Sequence, residues 1–409
     1  MIKKNTVNRL VPIIICLLAL WCIGSLAELL NIGWVNKIIV LITLIIVGLF
    51  LTIAFCEKRI KIHHVTFLFI EFILSIKCSL SIINTGVVLF NYAWDLFVAI
   101  ALTIMALLLG NKIIELSNNV QKFIVCLISL YYFCCIMLYL CGPGKEIKEL
   151  ADGSVYYCAN NRVIVGVPLA MSLLLLISIL SWGRGNVRIL IWGEVIGMGI
   201  VSLSWSRANF ACSGIVFIMF LICNNEYIPT KMRINIIIGA IIYFFLLIKL
   251  PFGRKIYTSL FVQPQIAKTV GKSYIHAVSN ARGDIIRAYV NSISLFSTWE
   301  MFIGKGFYDV DKVMGGLWAH NDFLYILYSQ GVVGLLIYIV TLVEMTLNLE
   351  SKDISKDFRS KSLVILFVGF ILFPAIFNGL YLYIQVFASV IILYFSIKEK
   401  YRLQIGAFK

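Results

Sequence analysis

Long apolar runs recur along almost the whole chain, and they constrain it more than any motif does. A bilayer-spanning helix needs about 20 mostly apolar residues, and roughly twelve such runs can be read. They lie near 11–30, 37–55, 65–83, 94–110, 122–141, 163–182, 187–205, 208–223, 234–251, 321–346, 361–377 and 380–396. The chain is 61% hydrophobic and 13% charged, against about 45–50% and about 25% in soluble domains. The expected fold class is therefore an all-α polytopic integral membrane protein of about 12 transmembrane helices.

The basic residues orient these helices. Lysine and arginine accumulate in cytoplasmic loops. With the N-terminus inside, Lys58-Arg59-Ile60-Lys61, Arg184 to Arg188, Lys231-Met232-Arg233, Lys352 to Lys361 and the C-terminal tail all fall inside. About 20 cations then lie inside and about five in the short outside loops. The net charge of +15 is explained by this bias, with no nucleic-acid partner invoked. An even helix count puts both termini in the cytoplasm. It leaves 142–162, the turn at Ser206-Arg207 and the stretch from Phe252 to Ala319 outside. Three segments result: 1–251 as an N-terminal transmembrane bundle, 252–320 as a large extracytoplasmic loop, and 321–409 as C-terminal helices and tail.

Lys3, Lys4 and Arg9 precede the first run, which is too long for a signal h-region and reads as a targeting helix. The eleven cysteines show no C-x-x-C and no metal-ligand spacing with histidine. Cys141 and Cys158 bracket one loop and would pair only if it faces an oxidising compartment.

The polar stretch from Arg282 to Leu336 concentrates the chemistry. Ile285, Ile286, Tyr289, Val290, Ile293, Phe296 and Phe302 recur at helical spacing. That stripe lies on the membrane surface or packs on the bundle. Gly304 and Gly306 end it. Arg282 and Arg287 are about 140° apart on a regular helix, so one binds a ligand and the other faces the surface, or both belong to a basic helix face. Arg207 sits between two apolar runs, where it faces a ligand or water or snorkels to headgroups. His63 and His64 read as solvated cytoplasmic residues. His320, followed by Asn321 and Asp322, stands where the loop meets an apolar helix. It is a general base at neutral pH or an interfacial anchor. Among the embedded charges, Glu71, Lys77, Glu194, Lys249 and Glu344 rank below these loop residues.

Three patches together resemble the bacterial O-antigen polymerase and O-antigen ligase superfamily. They are Ser204-Trp205-Ser206-Arg207-Ala208, then Arg282 followed by Gly304-Lys305-Gly306-Phe307, and then Ala319-His320-Asn321-Asp322-Phe323-Leu324 with Gly331-Val332-Val333-Gly334. The likeness covers Ser204 to Leu336. Glu300-Met301 stands where the family often has proline.

The resemblance implies a GT-C-like glycosyltransferase of the bacterial inner membrane. Its substrates would be undecaprenyl-pyrophosphate-linked oligosaccharides, with a chain-length regulator and a flippase as possible partners. Arg207 and Arg282, assisted by Arg287, would hold the pyrophosphate. His320 would take the acceptor's proton, and Asn321, Asp322, Gly304 and Gly306 would support the site. Neither cofactor nor metal is expected. A polymerase of surface polysaccharide or lipopolysaccharide repeat units is favoured over a ligase acting on lipid A-core. A flippase of lipid-linked sugars is a reading of another class.

Overall fold

The computed structural model describes residues 61–82, 88–109, 118–149, 155–180, 187–204, 206–249, 282–306, 321–348 and 358–377, with a few isolated positions besides. The apolar runs expected at 11–30, 37–55 and 380–396 lie outside the described residues apart from such isolated positions, and so does His320. Where the chain is described, helices stand at the expected runs. They are α1 (Ile62–Ile82), α2 (Val88–Leu109), α3 (Asn118–Cys141), α4 (Asn161–Ile164), α5 (Val167–Leu180), α6 (Val187–Ser202), α7 (Arg207–Cys223), α8 (Thr230–Lys249), α9 (Arg282–Ile293), α10 (Thr298–Ile303), α11 (Asp322–Leu347) and α12 (Phe358–Phe377). Among the described residues, three stretches suffice by length and composition to cross a membrane: Ile62–Leu80, Asn119–Cys141 and Asp322–Leu347.

The all-α expectation needs one correction. The segment read as a plain loop at 142–162 contains an antiparallel hairpin, β1 (Lys145–Glu149) and β2 (Val155–Ala159), with Lys145 opposite Ala159 and Glu149 opposite Val155. Val155, Tyr156 and Tyr157 are β-branched or aromatic, residue types that favour a pleated strand. No disulfide joins Cys141 and Cys158, and Cys158 Sγ donates to Glu146 O at 3.6 Å. Cys158 is buried against Tyr156, Phe210 and Tyr243.

Contacts group the chain into two compact units, each discontinuous in sequence: Met1–Ile39 with Ile114–Gly283, and Val40–Ile113 with Asp284–Lys409. This grouping by contact differs in kind from the three segments drawn by polarity.

In the first unit α5 is the centre. Val167 to Ile177 is buried on all sides, as expected of a helix that is apolar all round. α3 presents Ile124, Ile128, Tyr131, Tyr132 and Cys135 inward and Phe123, Leu130, Phe133 and Leu140 outward. α8 exposes Ile234, Ile237, Ile238, Ile241, Ile242 and Phe245. Contiguous apolar faces of this kind are rare on water-soluble monomers and fit a membrane protein.

In the second unit α1 buries one stripe, His64, Glu71, Leu74, Ser75, Cys78 and Ser79, at spacings of three, four and seven. Phe69, Phe72, Ile73, Ile76 and Leu80 face outward. The stripe packs on α11, which is not the straight helix expected at 321–346. At Gly331 the backbone takes φ 70° and ψ −167°. The Tyr338 hydroxyl donates to Asp322 Oδ2 at 2.7 Å. In a straight helix sixteen residues would separate those groups by about 24 Å. The two halves of α11 therefore fold back on each other about Gly331.

Candidate functional site

In the second unit the site is built on two glycine motifs that meet through their backbones. α10 opens with a capping box: Ser297 Oγ accepts from the Glu300 N–H, and the Glu300 carboxylate accepts from the Ser297 N–H. That backbone donor, with help from the Ser297 hydroxyl, holds the Glu300 carboxyl below its ordinary range. α10 closes at Gly304, whose N–H donates to Glu300 O at 2.7 Å. Gly304 has φ 74° and ψ 171°. Both Gly304 and Gly331 thus occupy a backbone region that is essentially glycine-only.

Side-chain volume is excluded at both positions. A Cβ on Gly304 would collide with the Ser329 and Gln330 backbone, and a Cβ on Gly331 with the Phe302 and Gly304 backbone. The close approach has a purpose in hydrogen bonding. Breaking α11 frees carbonyls that a continuous helix would pair internally. The Lys305 N–H donates to Tyr328 O and the Gly306 N–H to Ser329 O, each at 2.9 Å. Cys78 Sγ lies 3.5 Å from the same Ser329 O.

Two embedded polar side chains of α1, which on sequence alone rank below the loop residues, complete this joint. Half-buried Lys77 donates to Ile303 O at 2.6 Å and also to Gly304 O, the free carbonyls at the C-terminal end of α10. A cation there also meets the negative end of the helix dipole. Glu71, fully buried, accepts at Oε1 from Gln330 Nε2 at 2.6 Å. Glu71 Oε2 and Gln330 Oε1 have no partner among the described residues. Burial of a carboxyl group against an amide is costly unless it is well paired. Gln330 adjoins the broken residue, so this pair fixes the end of the first half of α11.

Aromatic rings hold the same half from the other side. Tyr289 of α9 and Phe296 each meet Tyr328 edge-on with ring centroids 5.3 Å apart. The stripe expected over 285–302 is therefore divided. Tyr289 and Ile293 are buried, whereas Ile286, Val290 and Phe302 are exposed. Lys305 lies over the Phe296 ring and 3.8 Å from Glu300.

The helix start beside His320 is described from Asn321 onward. Asn321 caps α11, its Oδ1 accepting from the Leu324 N–H at 3.0 Å and its Nδ2 donating to Ile376 O of α12. Asp322 is fully buried and is engaged by Tyr338, a partner that the sequence reading did not anticipate. Arg282 and Arg287 lie on the one continuous helix α9. No helix boundary brings them into one claw, and Arg287 is exposed.

In the first unit Arg207 is the first residue of α7. The serines before it build a helix-to-helix junction. Ser204 Oγ donates to Val201 O at 2.8 Å and accepts from the Ser206 N–H at 3.1 Å. Ser206 is the N-cap of α7, its Oγ accepting from the Asn209 N–H. The hairpin abuts this junction, the Ala159 N–H donating to Leu203 O at 2.7 Å. A capped helix N-terminus favours anions.

At the far end of α1 the structure corrects another expectation. His64 is buried, not solvated, and its Nε2 lies 3.0 Å from Glu344 Oε2. His63 Nε2 lies 3.3 Å from the same oxygen, and Lys61 Nζ 3.1 Å from Oε1. The charge at Glu344 could be seen in the sequence. The residues that meet it could not, because they are some 280 positions earlier.

Comparison with known proteins adds no relative: no family model, curated protein or solved structure matches the chain.

Proposed function

We propose that the chain is a membrane glycosyltransferase that polymerises oligosaccharide repeat units carried on undecaprenyl pyrophosphate. One observation supports this reading above the others. The Gly304-Lys305-Gly306 and Gly331-Val332-Val333-Gly334 motifs, on which the resemblance rests, form one backbone joint. Residues that carry a family likeness are here parts of one built structure, and that structure fixes the helix that starts beside His320. The capped N-terminus of α7, with Arg207 as its first residue, is a second feature suited to a pyrophosphate.

In the proposed reaction Arg207 and Arg282 bind the pyrophosphate of the donor and stabilise its charge as it leaves. A hydroxyl of the acceptor sugar attacks the anomeric carbon from the opposite face. A new C–O bond forms as the bond to pyrophosphate breaks, with inversion at that carbon. The hydroxyl proton passes to His320. The sugar–pyrophosphate bond supplies the driving force, so the reaction calls for no nucleotide. Arg287, exposed on α9, is given a lesser part. The expected setting is the outer face of a bacterial cytoplasmic membrane.

The test is reconstitution of the purified protein with a lipid-linked repeat unit alone, and the products are sized. A ladder is expected in wild type. It should be lost in His320→Ala and Arg282→Ala while the proteins stay folded. Product only after addition of lipid A-core would make the chain a ligase. The broken α11 beside a buried Glu71 is also a feature of transporters, whose sites use discontinuous helices. Transbilayer movement of the lipid-linked sugar, with no glycosyl transfer to any cognate acceptor, would replace the enzyme by that second reading.

A further inference from the structure

The cluster at the end of α1 remote from Lys77 takes no part in the proposed reaction, and its geometry is unusual for a set of ion pairs. Adjacent residues of a helix point about 100° apart and do not normally face one target. His63 and His64 nevertheless bring their Nε2 atoms to a single oxygen, Glu344 Oε2, at 3.3 and 3.0 Å. Their rings stand edge to face with centroids 4.3 Å apart. The three ligand atoms all lie within 4.8 Å of one another.

The Glu344 charge is already met without the imidazoles. Lys61 binds the other carboxylate oxygen at 3.1 Å. Two histidines on Oε2 are thus surplus to charge balance; each hydrogen-bonds the carboxylate in the tautomer protonated at Nε2 and offers a lone pair to a cation at the same place in the tautomer protonated at Nδ1. A tetrahedral ion with bonds of about 2.0–2.1 Å has ligand–ligand edges of about 3.3 Å. The two histidine-to-glutamate distances fall at or just under that edge. Lys61 on Oε1 then has the role of an outer-shell partner that orients the ligating carboxylate. His63 is 43% exposed, so a fourth position is open to water.

We infer that His63, His64 and Glu344 form a binding site for a divalent transition-metal ion of the zinc type, which clamps the start of α1 to the end of α11. The chemical class follows from the donors. Two imidazoles and one carboxylate suit zinc and its neighbours, whereas magnesium and calcium prefer oxygen alone. Both helices belong to the same compact unit. The inference does not depend on the glycosyltransferase reading, because the site is about 20 Å along α1 from Lys77.

The test uses full-length protein in detergent, freed of any affinity tag and treated with chelator. It is titrated with Co²⁺, followed by Zn²⁺ in competition. One Co²⁺ per chain is expected, with visible d–d absorption of a four-coordinate nitrogen–oxygen site and no thiolate charge-transfer band. Zn²⁺ should displace it and raise the unfolding temperature. His63→Ala and Glu344→Gln should each weaken binding at least tenfold and abolish the Zn²⁺-dependent thermal shift. Their unfolding temperatures in chelator should stay near wild type. If Glu344→Gln does not fold, His63→Ala carries the test, since its ring is half exposed. Absence of binding at micromolar metal, a thiolate band, or undiminished binding in the folded variants would overturn the proposal.

Discussion

The two ends of α1 solve the same problem in different ways. Each must hold α11 alongside. At the Lys77 end α1 grips a joint that α10 and α11 make by backbone, with two glycines in glycine-only geometry and two interstrand-like N–H···O bonds; Lys77 binds the free carbonyls of α10 and Glu71 the Gln330 amide of α11. At the Lys61 end the contact is made by side chains alone, gathered on one carboxylate. A backbone joint tolerates almost no substitution, because there is no side chain to rearrange. A side-chain cluster can lose a member and re-form. The first kind of contact leaves a mark in the sequence; the second leaves only charges whose partners are hidden.

This contrast gives an order of mutational effects. Gly331→Ala should be the most severe. The strained backbone alone costs about 1–3 kcal/mol, and the Cβ must also displace the backbone of Phe302. A total loss of at least about 3 kcal/mol is expected, read as a collapse of folded yield or of unfolding temperature in detergent. Wild-type behaviour would remove the backbone joint from the account.

Glu71→Leu comes next. It strands the Gln330 amide in the interior, at about 1–2 kcal/mol. Glu71→Gln keeps an acceptor and should recover most of that loss, which a thermal-shift series would detect.

Lys77→Met should cost about 1 kcal/mol, in line with hydrogen bonds measured inside membrane proteins. Lys61→Ala, on an exposed pair, should stay within about 0.5 kcal/mol in chelator. Equal losses from the two lysine substitutions would erase the distinction between the ends.

The smallest effect concerns pH. The folded-state titration of Glu300 is depressed by its Ser297 partners. The support it gives α10 is therefore present above the unfolded carboxylate range, near pH 4.3, and is lost as pH falls through the lower folded value. Glu300→Gln should flatten the acid limb of the stability profile slightly and leave neutral stability nearly unchanged.

Much of the helical layout could be read from hydropathy, because burial in lipid demands long apolar runs whatever their packing. The kink in α11 could not. A hydropathy sum over 321–346 is insensitive to one glycine's φ, and glycine is common in membrane helices. The glycine motifs were visible, but their contact joins residues far apart in the chain and is made by atoms common to every residue. Lys77 and Glu71 were visible as costly charges. Their value depends on carbonyls and an amide supplied from α10 and α11, which one-dimensional reading cannot pair. The hairpin at 145–159 has a signal in Val155-Tyr156-Tyr157, residue types that favour a strand, but it lies in a segment that hydropathy marks only as a loop. The positions of Asn321 and Asp322 at the start of α11 agreed with the motif, while the engagement of Asp322 by Tyr338 follows only from the fold-back.

The glycine joint also bears on how the protein is made. The first half of α11 is too short to partition into lipid by itself, where about 20 apolar residues are needed. Its broken end would leave naked carbonyls in hydrocarbon. The donors that satisfy them, at Lys305 and Gly306, precede α11 in the chain and are synthesised first. The donating edge therefore leaves the ribosome ahead of the helix it receives, and a ribosome pause between residues 306 and 331 would strand two N–H donors, not an unprotected hairpin.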